Sequence, residues 1–143
     1  MIKTSLFLSL AAIVLSNSAL ADDRSAILDT IRLLTDGVDT QDGAMLSDAF
    51  HEDAAIFATS PDGTELVALP AAAFAKVHAE KRFGGQTRSA TVANLDITEG
   101  LIANAKVIAE NDAVHYTYYL GLVKLDGDWK IQNFLQRSRP VDD

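Results

Sequence analysis

The side chains able to shuttle a proton or hold an ion are few and scattered. His51, His78 and His115 are the only imidazoles, and none stands at the His-x-x-x-His spacing that turns two rings toward one metal. No metal site is expected from them. His51 follows an apolar helical pattern, where an imidazole suits a helix's negative end; its alternative role is acid or base. His78 shares a helical face with Phe74, which suits a core or pocket wall. His115 alternates with Tyr116 and Tyr118 and so belongs to the opposite face of its strand. Among the carboxylates, Glu52 and Asp53 suit a turn at a helix exit, with Asp53 the alternative acid or base. Asp96 sits in mid-strand, where burial would raise its pKa and fit it for general-base work. The apolar set of that strand lies on the other face, so Asp96 is expected in solvent.

Nucleophilic and nucleotide chemistry find no footing. Serine-hydrolase, phosphate-loop and dinucleotide motifs are absent from the sequence. Gly84-Gly85 precedes a strand pattern, so it offers an anion no helix N-terminus. No cofactor is expected. The better prospect is a pocket built from aromatic bodies with polar tips. Residues 113–139 hold the single Trp and all three Tyr. Tyr116 and Tyr118 share one face of a strand, and Trp129, Ile131 and Asn133 share one face of the next. Buried Tyr and Trp each need a partner for a polar hydrogen, which describes a small-molecule site as well as a core. The expected pocket residues are Phe57, Phe74, His78, Tyr116, Tyr118, Trp129 and Asn133, with Asn133 the ligand-facing hydrogen-bonder.

The elements that must position these residues follow from periodicity. Residues 22–38 carry Ala26, Ile27, Ile31, Leu34 and Val38 at helical spacing, with Asp22 and Asp23 suited to a helix's positive end. A second helix from Thr40 or Gln41 to Phe50 turns Met45, Leu46, Ala49 and Phe50 inward. A strand over 54–58 and a return strand over 64–69 flank the turn Ser60-Pro61-Asp62-Gly63. Pro70 suits a first helical position, and Gly84-Gly85 close that third helix. From Thr87 the period becomes two: Ala93, Leu95 and Ile97 face one way, and in 101–110 Leu101, Ala103, Ala105, Val107 and Ala109 do so. Asp126-Gly127 is the strongest hairpin signal, because both residues tolerate the positive φ of a type I′ turn. The layout is α+β, with helices on one face of a curved antiparallel sheet.

Residues 1–21 read as a cleaved secretory signal peptide: Lys3, an apolar run from Leu6 to Leu15, then Ala19-Leu20-Ala21. The run is too short to span a ~30 Å hydrocarbon core. Cleavage after Ala21 and delivery to a bacterial periplasm or beyond are expected, leaving one domain over 22–143. The formal charge is −8, which argues against nucleic acid and anionic membrane as partners. With no cysteine, an exported chain must rely on packing for stability.

Two stretches resemble the putative lumazine-binding family of the nuclear transport factor 2-like superfamily. One runs Tyr118-Tyr119-Leu120-Gly121-Leu122-Val123-Lys124-Leu125-Asp126-Gly127-Asp128-Trp129-Lys130-Ile131-Gln132-Asn133. The other comprises Gly37-Val38-Asp39, Leu46, Phe50-His51 and Asp53-Ala54. The resemblance implies a cone whose sheet wraps an apolar pocket, and a homodimer through the sheet's outer face. It also implies departures: Tyr118 stands where many members carry an acid, and Phe134 where a cation is usual. Two functions follow as expectations. One is a non-catalytic module holding a small apolar or aromatic ligand. The other is similar to the cofactor-independent ketosteroid isomerase or dehydratase branches, with an Asp or His shuttling a proton and a Tyr donating to an oxyanion.

Overall fold

The computed structural model describes the backbone of residues 5–142 and the side chains from Asn17 onward. Its elements run α1 (Ser5–Thr40), α2 (Gly43–Ala49), β1 (Phe50–Thr59), β2 (Leu66–Pro70), α3 (Ala71–Ala79), β3 (Ser89–Thr98), β4 (Ile102–Glu110), β5 (Val114–Leu125) and β6 (Asp128–Pro140). One six-stranded sheet has the order β2-β1-β6-β5-β4-β3. The strands of the meander β3 to β6 pair in antiparallel fashion with their chain neighbours. β1 joins the far side of β6 in parallel, a pairing that periodicity cannot announce. Among the described residues no helix is long and apolar enough to cross a membrane.

Local chemistry explains the turns. Asp126 and Gly127 take φ of 50° and 87°, so the β5–β6 ribbon closes by the primed turn that matches strand twist. Glu99 and Gly100 do the same between β3 and β4, at 54° and 65°. Between β4 and β5, Asn111 Oδ1 accepts from the amides of Ala113 and Val114 at 2.9 Å, an Asx turn.

The helical boundaries differ from expectation for identifiable reasons. Asp42 caps α2 by accepting from Ala44 and Met45, so that helix begins two residues later than 41. Phe50 turns to extended backbone and opens β1. His51, Glu52 and Asp53 therefore lie within a strand instead of a helix exit. Pro70 ends β2 and occupies the N-cap of α3, at ψ 148°. The helix stops at Ala79, before Lys81 takes a φ of 58°.

The core lies in the sheet's hollow. Ile27, Ile31 and Leu34 of α1 meet Val107 of β4, Tyr118, Leu120 and Leu122 of β5, and Trp129, Ile131 and Phe134 of β6. Two bulges set which residues join it. Ala93 is the extra residue of β3 between Val92 and Asn94, and it is exposed. Gln132 is the extra residue of β6, because Leu122 pairs with Ile131 and Gly121 with Asn133. A bulge of this kind flips the inward–outward phase of everything after it. Trp129 and Ile131 point in as expected, but thereafter Phe134 is 1% exposed and Asn133 faces out.

One polar clamp fastens α1 to the β5–β6 ribbon. Asp23 Oδ1 accepts from Lys124 Nζ at 2.8 Å and from Trp129 Nε1 at 3.0 Å. Those hydrogen bonds hold the carboxyl below its ordinary value of 3.8, against the opposing effect of burial. We expect Asp23→Ala to cost about 1–3 kcal/mol at pH 7, since it strands the buried indole N–H. The depressed pKa makes this contribution full above pH 3.8 and lost as acid protonates the folded carboxylate. Urea midpoints at pH 7 and pH 3 test this; an Asp23→Ala deficit that persists undiminished in acid overturns it.

Candidate functional site

α3 and the loop after it face β1, β2, β5 and β6 across a cavity of about 510 Å³. Such a volume suits a small organic molecule. Its apolar wall includes Ile56, Leu69, Phe74, Val77, Tyr116 and Tyr118. The polar groups on the wall are His78, Arg82, Gln86, Arg88 and Gln136. Asp and Glu do not occur among these lining residues.

The 80–88 loop, which lines the cavity, is laced to the C-terminus of α1. Gly85 N donates to Val38 O at 3.0 Å, and Gln41 Nε2 donates to Phe83 O at 2.8 Å. Gly84 sits at φ 74°, and a Cβ there would collide with the Val38 carbonyl, so only glycine lets the loop pass. The third lace is ionic. Arg88 Nε donates to Asp39 Oδ1 at 2.6 Å, and Arg88 N donates to Asp39 Oδ2 at 3.0 Å. Both side chains are shielded, at 4% and 16% exposed.

Arg88 is the electrostatic centre of the cavity. Its Nη1 donates to Tyr118 Oη, and its guanidinium lies 5.0 Å from the centre of the Tyr116 ring, within cation–π range. Burial alone would disfavour that charge; Tyr118 and Asp39 outweigh it and hold the group above its usual range. Nη2 is buried and has no hydrogen-bond partner among the described residues. An unmet buried donor costs about 1–3 kcal/mol. Burial also pushes the Tyr118 phenol up to about 12, although the Arg88 charge pulls it down. Tyr118 is therefore a neutral phenol across the physiological range.

His78 is the imidazole on the wall. Its Nδ1 lies 2.8 Å from Phe74 O; a carbonyl only accepts, so Nδ1 carries the proton and Nε2 keeps its lone pair. Burial lowers the imidazole's pKa, the Arg88 charge lowers it further, and the Phe74 bond opposes both. The ring is neutral at pH 7. An unfolded chain takes up this proton near pH 6.5 while the folded one resists, so stability is full above that pH and declines as acid is added through it. We expect the urea midpoint to fall between pH 7.5 and 5.5, and His78→Phe to flatten that slope; an unchanged slope in the variant counts against it.

The structure gathers four of the residues expected at the pocket and separates three. Phe74, His78, Tyr116 and Tyr118 all line the cavity. Phe57 does not: strand alternation turns its neighbours Ile56 and Ala58 to the cavity instead. Trp129 is buried but belongs to the Asp23 clamp. Asn133 is exposed, displaced outward by the Gln132 bulge. The alternative acid–base residues stay outside as well: Asp53 and Asp96 are exposed, and His51 is half-buried. His51, Glu52 and Asp53 offer ligand atoms within 4.8 Å of one another, a surface grouping apart from the cavity. Asp39 and Arg88 escaped sequence reasoning as a pair. The available signal was Asp39 itself, an acid in the last turn of a helix, where the dipole disfavours it.

Residues 22–135 match the family model described as "Putative lumazine-binding". The chain belongs to this family. Solved structures carry the same fold. A nuclear transport factor 2-like protein of unknown function from Methylobacillus flagellatus KT is 28% identical, with a TM-score of 0.71 over 82% of this chain and 92% of that one. Another, from Shewanella baltica OS155, is 21% identical, with a TM-score of 0.74 over 85% and 97%. A ketosteroid isomerase-like protein from Erwinia carotovora atroseptica SCRI1043 is 14% identical, with a TM-score of 0.61 over 83% and 96%. No curated protein matches the sequence. Within this family the chain is a nuclear transport factor 2-like α+β cone.

Proposed function

We propose that this member of the family is an exported binding protein that holds a small, largely apolar or aromatic molecule in its cone. The observation carrying this is the cavity of about 510 Å³, walled by aliphatic and aromatic side chains with a few polar tips and no lining carboxylate. A proton-shuttling enzyme would need a carboxylate or imidazole beside a hydroxyl donor. Asp53 and Asp96 lie outside the cavity, and among the described residues no hydrogen bond joins His78 to Tyr116 or Tyr118, so binding is the reading preferred. Native mass spectrometry of protein recovered from the producing cell tests it. A retained small molecule, lost when Ala58→Trp fills the cavity, supports the proposal; protein that is always ligand-free and indifferent to aromatic additives overturns it.

Export rests on the leader pattern of residues 1–21. Two further facts favour that boundary: the family match starts at residue 22, and residues 17–22 are exposed, Asp23 being the first buried residue among the described side chains. Intact mass of the protein from a periplasmic fraction should correspond to a chain starting at Asp22. A homodimer through the outer sheet face is also proposed. Ile102, Tyr119 and Leu135 leave large apolar groups exposed there, and Tyr119 pairs directly with Leu135. Light scattering should give twice the chain mass, reduced to one by Tyr119→Glu.

A further inference from the structure

We propose that the cavity selects an uncharged ligand carrying an O–H or N–H donor, whose hydrogen His78 Nε2 accepts. This inference rests on the binding reading above and names the chemistry of the molecule bound. The Nδ1 edge of the ring is spent on Phe74 O at 2.8 Å, so the lone pair of the neutral imidazole is on Nε2. Nε2 has no hydrogen-bond partner among the described residues. Arg88 Nη2 is also unpartnered, but it is shut away from water. Nε2 is not shut away in that manner, so a water molecule reaches it. The whole residue is only 4% exposed, and the cavity is the opening that His78 lines. Nε2 therefore meets solvent through the cavity.

That lone pair fixes the ligand's side of the bond. A phenol or an amide on the wall can donate or accept, so it leaves the ligand's chemistry open. Nε2 can only accept, and its lone pair goes to water or to a hydrogen of the ligand. An apolar body that drives the water out must replace the hydrogen bond it breaks. Charge narrows the donor further. Arg82 and Arg88 line the cavity, and no carboxylate is among the lining residues. An ammonium donor would enter with no counterion to offset its burial, and a carboxylate brings no hydrogen to Nε2. A neutral hydroxyl or N–H remains. The ligand's body is set by what surrounds the imidazole. The Phe74 ring lies 4.4 Å from it, and Val77 and Leu69 extend the apolar wall.

Titration calorimetry of the purified protein with 2-naphthol, 2-methoxynaphthalene and naphthalene tests this. The methyl ether keeps the oxygen and loses the donor; naphthalene loses both without added bulk. 2-Naphthol should bind about tenfold more tightly than either, the effect of one hydrogen bond made in a sheltered site. His78→Phe keeps an aromatic ring beside Phe74 and should erase that preference while naphthalene still binds. A second reading needs no variant and stands if His78→Phe does not fold. In protein with isotope-labelled histidine nitrogens, the His78 Nε2 resonance should move much further with 2-naphthol than with the ether. Equal binding of all three probes by the parent overturns the donor assignment and leaves the cavity reading standing. A preference that survives His78→Phe, or an Nε2 signal that answers both ligands alike, overturns the assignment to His78. Failure of all three probes to bind tells against the binding reading itself, and this proposal falls with it.

Discussion

Replacing Arg88 with Met lowers the free energy of unfolding by about 3–5 kcal/mol. The reason is what the change leaves behind. Asp39 stays 16% exposed with its cationic partner gone, and Tyr118 Oη loses its Arg88 donor inside the core. A domain of this size holds about 5–15 kcal/mol in total, so the variant sits near the edge of folding. The paired change Asp39→Asn with Arg88→Gln should recover a substantial part, because no charge is then left uncompensated. Urea denaturation of the three proteins decides the matter. A loss under about 1 kcal/mol for Arg88→Met would mean that the pair behaves like a surface ion pair.

Phe134→Ala is expected to cost about 3–5 kcal/mol, the range for emptying a buried aromatic site. Its ring lies 4.9 Å from Tyr118 and 5.9 Å from Phe74 by edge-on contact, and 6.1 Å from Phe50 in a stack. These neighbours come from β5, α3 and β1, so they cannot all collapse into the space left behind. Asn133→Ala, one residue earlier and exposed, should change stability by no more than about 0.5 kcal/mol. The contrast reads out the Gln132 bulge directly. Were Asn133→Ala the more damaging of the two, the assignment of inward and outward faces in β6 would be wrong.

That bulge also shows where sequence reasoning reached its limit. Alternation from Trp129 to Ile131 is legible in the chain, and extending it by two put Asn133 in the pocket. The extra residue in β6 reverses the phase, and only the pairing of Leu122 with Ile131 and Gly121 with Asn133 reveals it. Phe57 failed for a related reason: an apolar run does not say which of its alternating members faces the hollow. Asp96 was placed correctly in solvent because its strand's apolar set declares the other face. Phe74 and His78 were legible as one face of a helix, and Tyr116 and Tyr118 as one face of a strand, since both periods are properties of the local backbone.

By itself the sequence determined the α+β layout, the meander of β3 to β6, the Asp126-Gly127 turn and the family. These depend on φ preferences and on side-chain periodicities that operate over a few residues. Only the tertiary structure decided that β1 lies parallel to β6 and that Arg88 reaches back to Asp39, 49 positions earlier. It likewise decided that one buried Arg88 nitrogen, Nη2, is left without a hydrogen-bond partner among the described residues. Contacts across such separations are selected by packing and by the cost of burying an unpaired charge, and neither quantity is written in any local stretch of the chain.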